Sequence, residues 1–137
     1  MAVAAATTIA ALVTAAAEAR AGKRWQPVQV ITGLRQAGLP IGAVFYFWPP
    51  GHFNRKANFR DRRLRGRTFG VDNGGSVETF ANKRAASIRY RYVHGTSIRS
   101  SRFGTYNYIE GTVVLRLSHR VTPVQAKAYE RAFRRVV

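Results

Sequence analysis

Leu39-Pro40-Ile41-Gly42-Ala43-Val44-Phe45-Tyr46-Phe47-Trp48 is an uncharged run dense in aromatic and aliphatic side chains, and Pro49-Pro50-Gly51 closes it. The run is short for a helix. Its aromatic content and the proline-glycine stop predict a strand buried on both faces, at the centre of the core.

The flanking segments supply the rest of the fold. Upstream, Gln26-Pro27-Val28-Gln29-Val30-Ile31-Thr32-Gly33-Leu34-Arg35-Gln36-Ala37-Gly38 predicts a short helix. Pro27 sits at its first position, Val30, Ile31 and Leu34 line one side, and Gly38 stops it. Downstream, Ile88-Arg89-Tyr90-Arg91-Tyr92-Val93 alternates with a period of two and predicts a strand; a Ser-, Gly- and Arg-rich loop follows over 95–104. Thr112-Val113-Val114-Leu115-Arg116-Leu117 predicts a further strand with Val113, Leu115 and Leu117 inward. From Thr122 onward a C-terminal helix is expected, with Thr122 as cap, Pro123 as first residue, and Val124, Ala128, Ala132, Phe133 and Val136 as its buried stripe. Asp72-Asn73-Gly74-Gly75 marks a turn, and residues 76–86 read as a short helix after it in preference to a return strand. Together these segments predict an α+β fold: an antiparallel sheet over 40–48, 88–93 and 112–117, flanked by N- and C-terminal helices, in one domain spanning 1–137.

Residues 1–17 carry no charged side chain and are mostly Ala and Thr. They lack the positive start of a secretory signal and the apolarity of a membrane span, so an Ala-rich helix over 1–22 is expected. Such a face packs within the chain or against a copy of it. The expected setting is a virion or the host cytoplasm, without secretion.

Composition narrows the chemistry. The chain has 137 residues, with 23 Lys+Arg against 6 Asp+Glu and a formal net charge of +17. It contains no cysteine, which excludes a disulfide framework, a thiolate zinc site and a cysteine nucleophile. With 46% hydrophobic residues it is too apolar for a disordered basic tail, so the charge belongs to a folded body. A compact body so charged repels itself, which points to an anionic partner, nucleic acid before an acidic protein or a membrane surface.

The charge is densest over 52–69, which reads as a basic extended arm or loop because no periodicity gathers it on one face. Arg55, Lys56, Arg60, Arg62, Arg63, Arg65 and Arg67 are the candidate phosphate contacts there, since each guanidinium presents a planar fork of donors that matches a phosphate. Phe53, Phe59 and Phe69 interleave with them and are candidates for stacking on unpaired bases. Arg89 and Arg91 on the alternating strand, and Arg99 and Arg102 in the loop after it, complete the candidate set.

His94-Gly95-Thr96-Ser97, expected at the end of a strand, resembles the histidine-glycine-threonine element of ADP-ribosyltransferases and tRNA 2'-phosphotransferases, and the likeness stops at Ser97. His52, Glu78, His94, Glu110 and His119 show no spacing that calls for a shared metal. No cofactor is implied and an enzyme is not expected. The sequence therefore predicts a structural protein of a nucleoprotein particle, first a small basic viral or phage virion protein contacting packaged nucleic acid. A ribosomal protein on rRNA and a nucleic-acid-processing enzyme such as a nuclease are the alternatives. The expected partners are DNA or RNA and neighbouring subunits, with no membrane span.

Overall fold

The computed structural model describes residues 23–47, 55–66, 68–99 and 104–137. The helix expected over 1–22, Phe53, Arg67 and Arg102 lie outside the described residues. Five strands, β1 (Ile41–Phe47), β2 (Arg55–Asp61), β3 (Gly74–Thr79), β4 (Thr105–Glu110) and β5 (Val113–Ser118), form one antiparallel sheet in the order β1-β2-β3-β5-β4. Helix α1 (Pro27–Gln36) precedes β1, α2 (Lys83–Arg99) connects β3 to β4, and α3 (Pro123–Val136) follows β5. The chain is thus α+β, an antiparallel sheet with N- and C-terminal helices and a further helix between. Among the described residues, no helix is long and apolar enough to cross a membrane.

The two terminal helices start and stop as their residues dictate. Thr122 Oγ1 accepts from the Gln125 backbone N–H at 3.3 Å while Gln125 Oε1 accepts from the Thr122 N–H at 2.9 Å, a reciprocal cap that satisfies two otherwise orphaned donors at the start of α3. Gln29 Oε1 does the same for the Gln26 N–H at 2.9 Å ahead of α1. That helix ends where Gly38 takes φ +87°, a conformation costly for any side chain with a Cβ, and the Leu39 N–H returns to the Leu34 carbonyl at 3.2 Å.

The cross-strand register sorts the sheet into two unlike faces. One carries Ala57 and Phe59 of β2, Val77 of β3, and Val113, Leu115 and Leu117 of β5; α1 adds Val30, Ile31 and Leu34, and α3 adds Ala126, Tyr129, Ala132 and Phe133. Phe59 and Tyr129 stack at 5.9 Å between ring centroids. Gly75 makes this possible, because a Cβ there would fall 2.6 Å from the Phe59 ring and 2.4 Å from the Arg116 carbonyl oxygen. The other face carries Lys56, Asn58 and Arg60 of β2, Ser76 and Glu78 of β3, Arg116 of β5 and Asn107 of β4. Helix α2 covers part of it through Ala86 and Val93, which are buried apart from the main core. Ser97 Oγ lies 2.8 Å from Thr105 Oγ1 and accepts from Asn107 Nδ2 at 3.0 Å.

Several sequence expectations need correction. Within the run, Ile41–Phe47 does form a strand, but β1 is an edge strand, with Tyr46 46% and Phe47 44% exposed. The centre is β3, buried along its whole length. Residues 55–61 are no arm: they form β2, bonded to strands on both sides, because Ala57, Phe59 and Asp61 alternate with Lys56, Asn58 and Arg60 beneath the charge. The short helix expected over 76–86 is replaced at its start by β3, whose glycines admit close strand approach. Residues 88–93, expected as a strand, and the first half of the loop after them, 95–99, lie within one helix, α2; Ala86, Arg89, Val93 and Ser97 recur at helical spacing on its sheet-facing side. Strand β4 was not anticipated. In α3 the buried residues are Ala126, Tyr129, Ala132 and Phe133, while Val124 in the first turn is 79% exposed.

Candidate functional site

One group of arginines is matched by carboxylates and another is held by backbone carbonyls. Arg63 belongs to the first group: its Nε donates to Asp61 Oδ1 at 2.9 Å, and its backbone N–H reaches the same oxygen at 2.9 Å. Burial works to raise the Asp61 carboxyl, but these bonds and one from the Tyr129 hydroxyl at 2.9 Å outweigh it and hold the group below its ordinary value. The same burial, beside the Asp61 charge, pushes the Tyr129 phenol strongly upward, so it stays a donor.

Arg89 is the second matched guanidinium. From α2 it forks onto Glu78, Nε to Oε2 at 2.8 Å and Nη2 to Oε1 at 3.0 Å. Lys56 Nζ and Arg116 Nη1 each lie 3.9 Å from the same carboxylate, whose side chain is 1% exposed. Burial lowers the Lys56 ammonium and the Arg116 guanidinium, against the pull of Glu78. One buried acid thus anchors three cations and ties α2 to the sheet. Beside it, Asn58, Ser76 and Arg116 stand in one cross-strand row. Among the described residues, Asn58 Oδ1, Ser76 Oγ and Arg116 Nε find no hydrogen-bond partner.

The carbonyl-held group gathers at the end of the sheet where β1 begins and β2 ends. Arg62 Nη2 donates to the Ile41 carbonyl at 3.3 Å, and Arg35 Nε to the same oxygen at 3.4 Å. Arg35 also donates to the Gly42 carbonyl, and Arg60 to that of Gly66. Arg120 donates to Asn73 Oδ1 and to the Arg65 carbonyl, both at 2.7 Å. A carbonyl positions a guanidinium without cancelling its charge; Arg35, Arg60, Arg62 and Arg120 are held in this way, and among the described residues none of them pairs with a carboxylate, with the exposed Arg65 beside them. Arg35 and Arg120 escaped the sequence reading. Each is an isolated basic residue in the chain, and only long-range contact brings it to the run.

The remaining candidates lie elsewhere. Arg55 opens β2 and is exposed. Arg91 projects from α2 with its Nε on the Ser87 carbonyl at 3.4 Å, and Arg99 ends that helix exposed. Of the aromatics, Phe59 is buried in the core and out of reach of a ligand, whereas Phe69 is 43% exposed. His94-Gly95-Thr96-Ser97 sits inside α2 with His94 stacked on Tyr90, not at a strand end. Glu78 is buried on the sheet's polar face and Glu110 meets Arg134 at 3.3 Å. Among the described residues, no three His, Cys, Asp or Glu side chains come together as metal ligands. No family model matches the chain, and neither a curated protein nor a solved structure matches it.

Proposed function

We propose that the chain is a non-enzymatic structural protein of a nucleoprotein particle: a small basic virion component, coat or capsid-associated, that neutralises packaged nucleic acid. The observation that carries this reading is the carbonyl-held arginine cluster. Arg35, Arg60, Arg62, Arg65 and Arg120 present positive charge at one end of the sheet, and Asp61, between Arg60 and Arg62 in the chain, is already engaged by Arg63 and Tyr129. Fixed guanidiniums displace condensed counterions from a phosphate backbone at little further cost in side-chain order. The overall charge of +17 supports the same partner, since polyanion relieves the self-repulsion of the body.

Binding to nucleic acid measured by anisotropy against salt tests this directly. With about six phosphates neutralised, affinity falls about a thousandfold between roughly 50 and 200 mM salt. Replacing Arg62, Arg65 and Arg120 with Ser lowers that slope by about three units while the far-ultraviolet circular dichroism stays unchanged. A slope that survives the substitutions removes the cluster from the contact. Light scattering on the pure protein with nucleic acid added checks the assembly part: growth to large particles of fixed size is the expected result.

A further inference from the structure

On the polar face of the sheet, over β1 and β2, phenylalanines gather beside the cations of β2. Phe45 stands opposite Asn58 and Phe47 opposite Lys56, so both β1 rings share the face that carries Lys56, Asn58 and Arg60. Phe69, arriving after β2, lays its ring against Phe45, and its carbonyl accepts from Asn58 Nδ2 at 2.8 Å. Phe47 is 44% and Phe69 43% exposed. Each has a cation beside it: Lys56 Nζ is 6.0 Å from the Phe47 ring centroid, and the Arg60 guanidinium carbon is 5.8 Å from that of Phe69.

This pairing of aromatic and cation, repeated at Lys56 and Arg60 along β2, fits a particular ligand. An aromatic face stacks on the face of any base, and the neighbouring cation reaches the phosphate that follows. A duplex keeps its base faces stacked inside and offers grooves and phosphates only, so half-exposed phenylalanines gain nothing from it. A second copy docking symmetrically is the poorer fit. An isologous contact would bring the Lys56 and Arg60 of both copies into one interface, and among the described residues the acid on this part of the face, Glu78, is already committed to Arg89, Lys56 and Arg116.

Resting on the nucleic-acid reading above, we propose that this half of the face is a platform for single-stranded nucleic acid. Unpaired bases stack on Phe47 and Phe69 while Lys56 and Arg60 hold the adjoining phosphates. The platform adds strand selectivity to the general phosphate affinity of the arginine cluster.

The test compares a fluorescein-labelled oligo(dT) strand with a mixed-sequence duplex of equal length, for the full chain and for Phe47→Leu and Phe69→Leu. Leucine keeps an apolar side chain and removes the stacking surface. The expected result is tighter binding of oligo(dT) than of duplex, about tenfold weaker oligo(dT) binding in each variant, and duplex affinity and salt slope unchanged. Unaltered oligo(dT) binding, or equal losses on both probes, overturns the platform while leaving phosphate contact standing. Failure of the unmodified chain to bind any nucleic acid overturns both. Photocrosslinking of the unmodified chain to bromouracil-substituted strand, mapped by mass spectrometry, gives a second readout independent of variant folding: adducts at Phe47 or Phe69 support the platform, and adducts confined to other regions refute it. A dimer that Phe47→Leu dissociates likewise refutes it, by making the face an interface between copies.

Discussion

The two faces of the sheet are held by different forces. The covered face is apolar packing: Phe59, Leu115, Leu117, Tyr129 and Phe133 are each at most 1% exposed, and α1 and α3 close over them. The opposite face is organised around one buried carboxylate, with α2 fastened to Glu78 by a guanidinium and few apolar residues beneath it. An apolar interface tolerates small changes of shape at modest cost. A buried charge cluster is costly to assemble and fails abruptly when one partner is removed. The tightly packed core of the protein therefore lies on one face, and the buried charge cluster and the half-exposed Phe47 and Phe69 on the other.

This contrast can be broken from either side. The largest effect is expected at the packed face: Phe133→Ala leaves a large cavity between α3 and the sheet and costs about 4 kcal/mol, read as a lower denaturant midpoint with an unchanged slope. At the charged face, Glu78→Ala strands Arg89, Lys56 and Arg116 beside one another and costs about 3 kcal/mol. Amide exchange should then speed up in α2 while protection in α1 and α3 persists; equal loss across all three helices would show that the faces do not come apart.

Asp61 sharpens the comparison through pH. Its carboxyl titrates lower in the folded chain than in the unfolded one, so its stabilisation is present above the unfolded value of about 3.9 and is lost as pH falls through the depressed folded value. Asp61→Asn should cost about 2 kcal/mol at neutral pH and flatten the acid limb of the stability profile. An acid limb identical to that of the parent chain would count against the Arg63 and Tyr129 bonds as its source. The smallest effect is expected at Ser76, whose buried hydroxyl lacks a partner among the described residues. Ser76→Ala should leave stability unchanged or raise it by up to about 1 kcal/mol, checked by thermal melting.

Legibility in the sequence follows the same division. Segments whose signal is local came through: the cap Thr122 with Pro123, the stop at Gly38, and the alternation of Val113, Leu115 and Leu117 against water all sit within a few residues of what they determine. Strand β2 carries the same alternation in Ala57, Phe59 and Asp61, but Arg55, Lys56, Arg60 and the arginines beyond it mask the period. Helix α2 misleads in the opposite way. Ile88-Arg89-Tyr90-Arg91-Tyr92-Val93 alternates as a strand would, yet Ile88 and Tyr92 end up 55% and 67% exposed because Arg89 and Val93 face the sheet. Of the site, Arg60, Arg62 and Arg65 are legible as a charge run, while Arg35, Arg120 and the exposure of Phe47 are not.

What the sequence by itself determined is the α+β class, the terminal helices, the apolar segments able to form strands, and the imbalance of charge, because each depends on composition or on neighbours close along the chain. Only the tertiary structure decided which strand is central, whether the middle segment is strand or helix, and which arginines keep an uncompensated charge. Those outcomes depend on contacts that local sequence does not show: Glu78 on β3 holds Arg89 of α2, Tyr129 of α3 reaches Asp61 beside Arg63, and backbone carbonyls of β1 and of the loop after β2 collect Arg35, Arg60, Arg62 and Arg120.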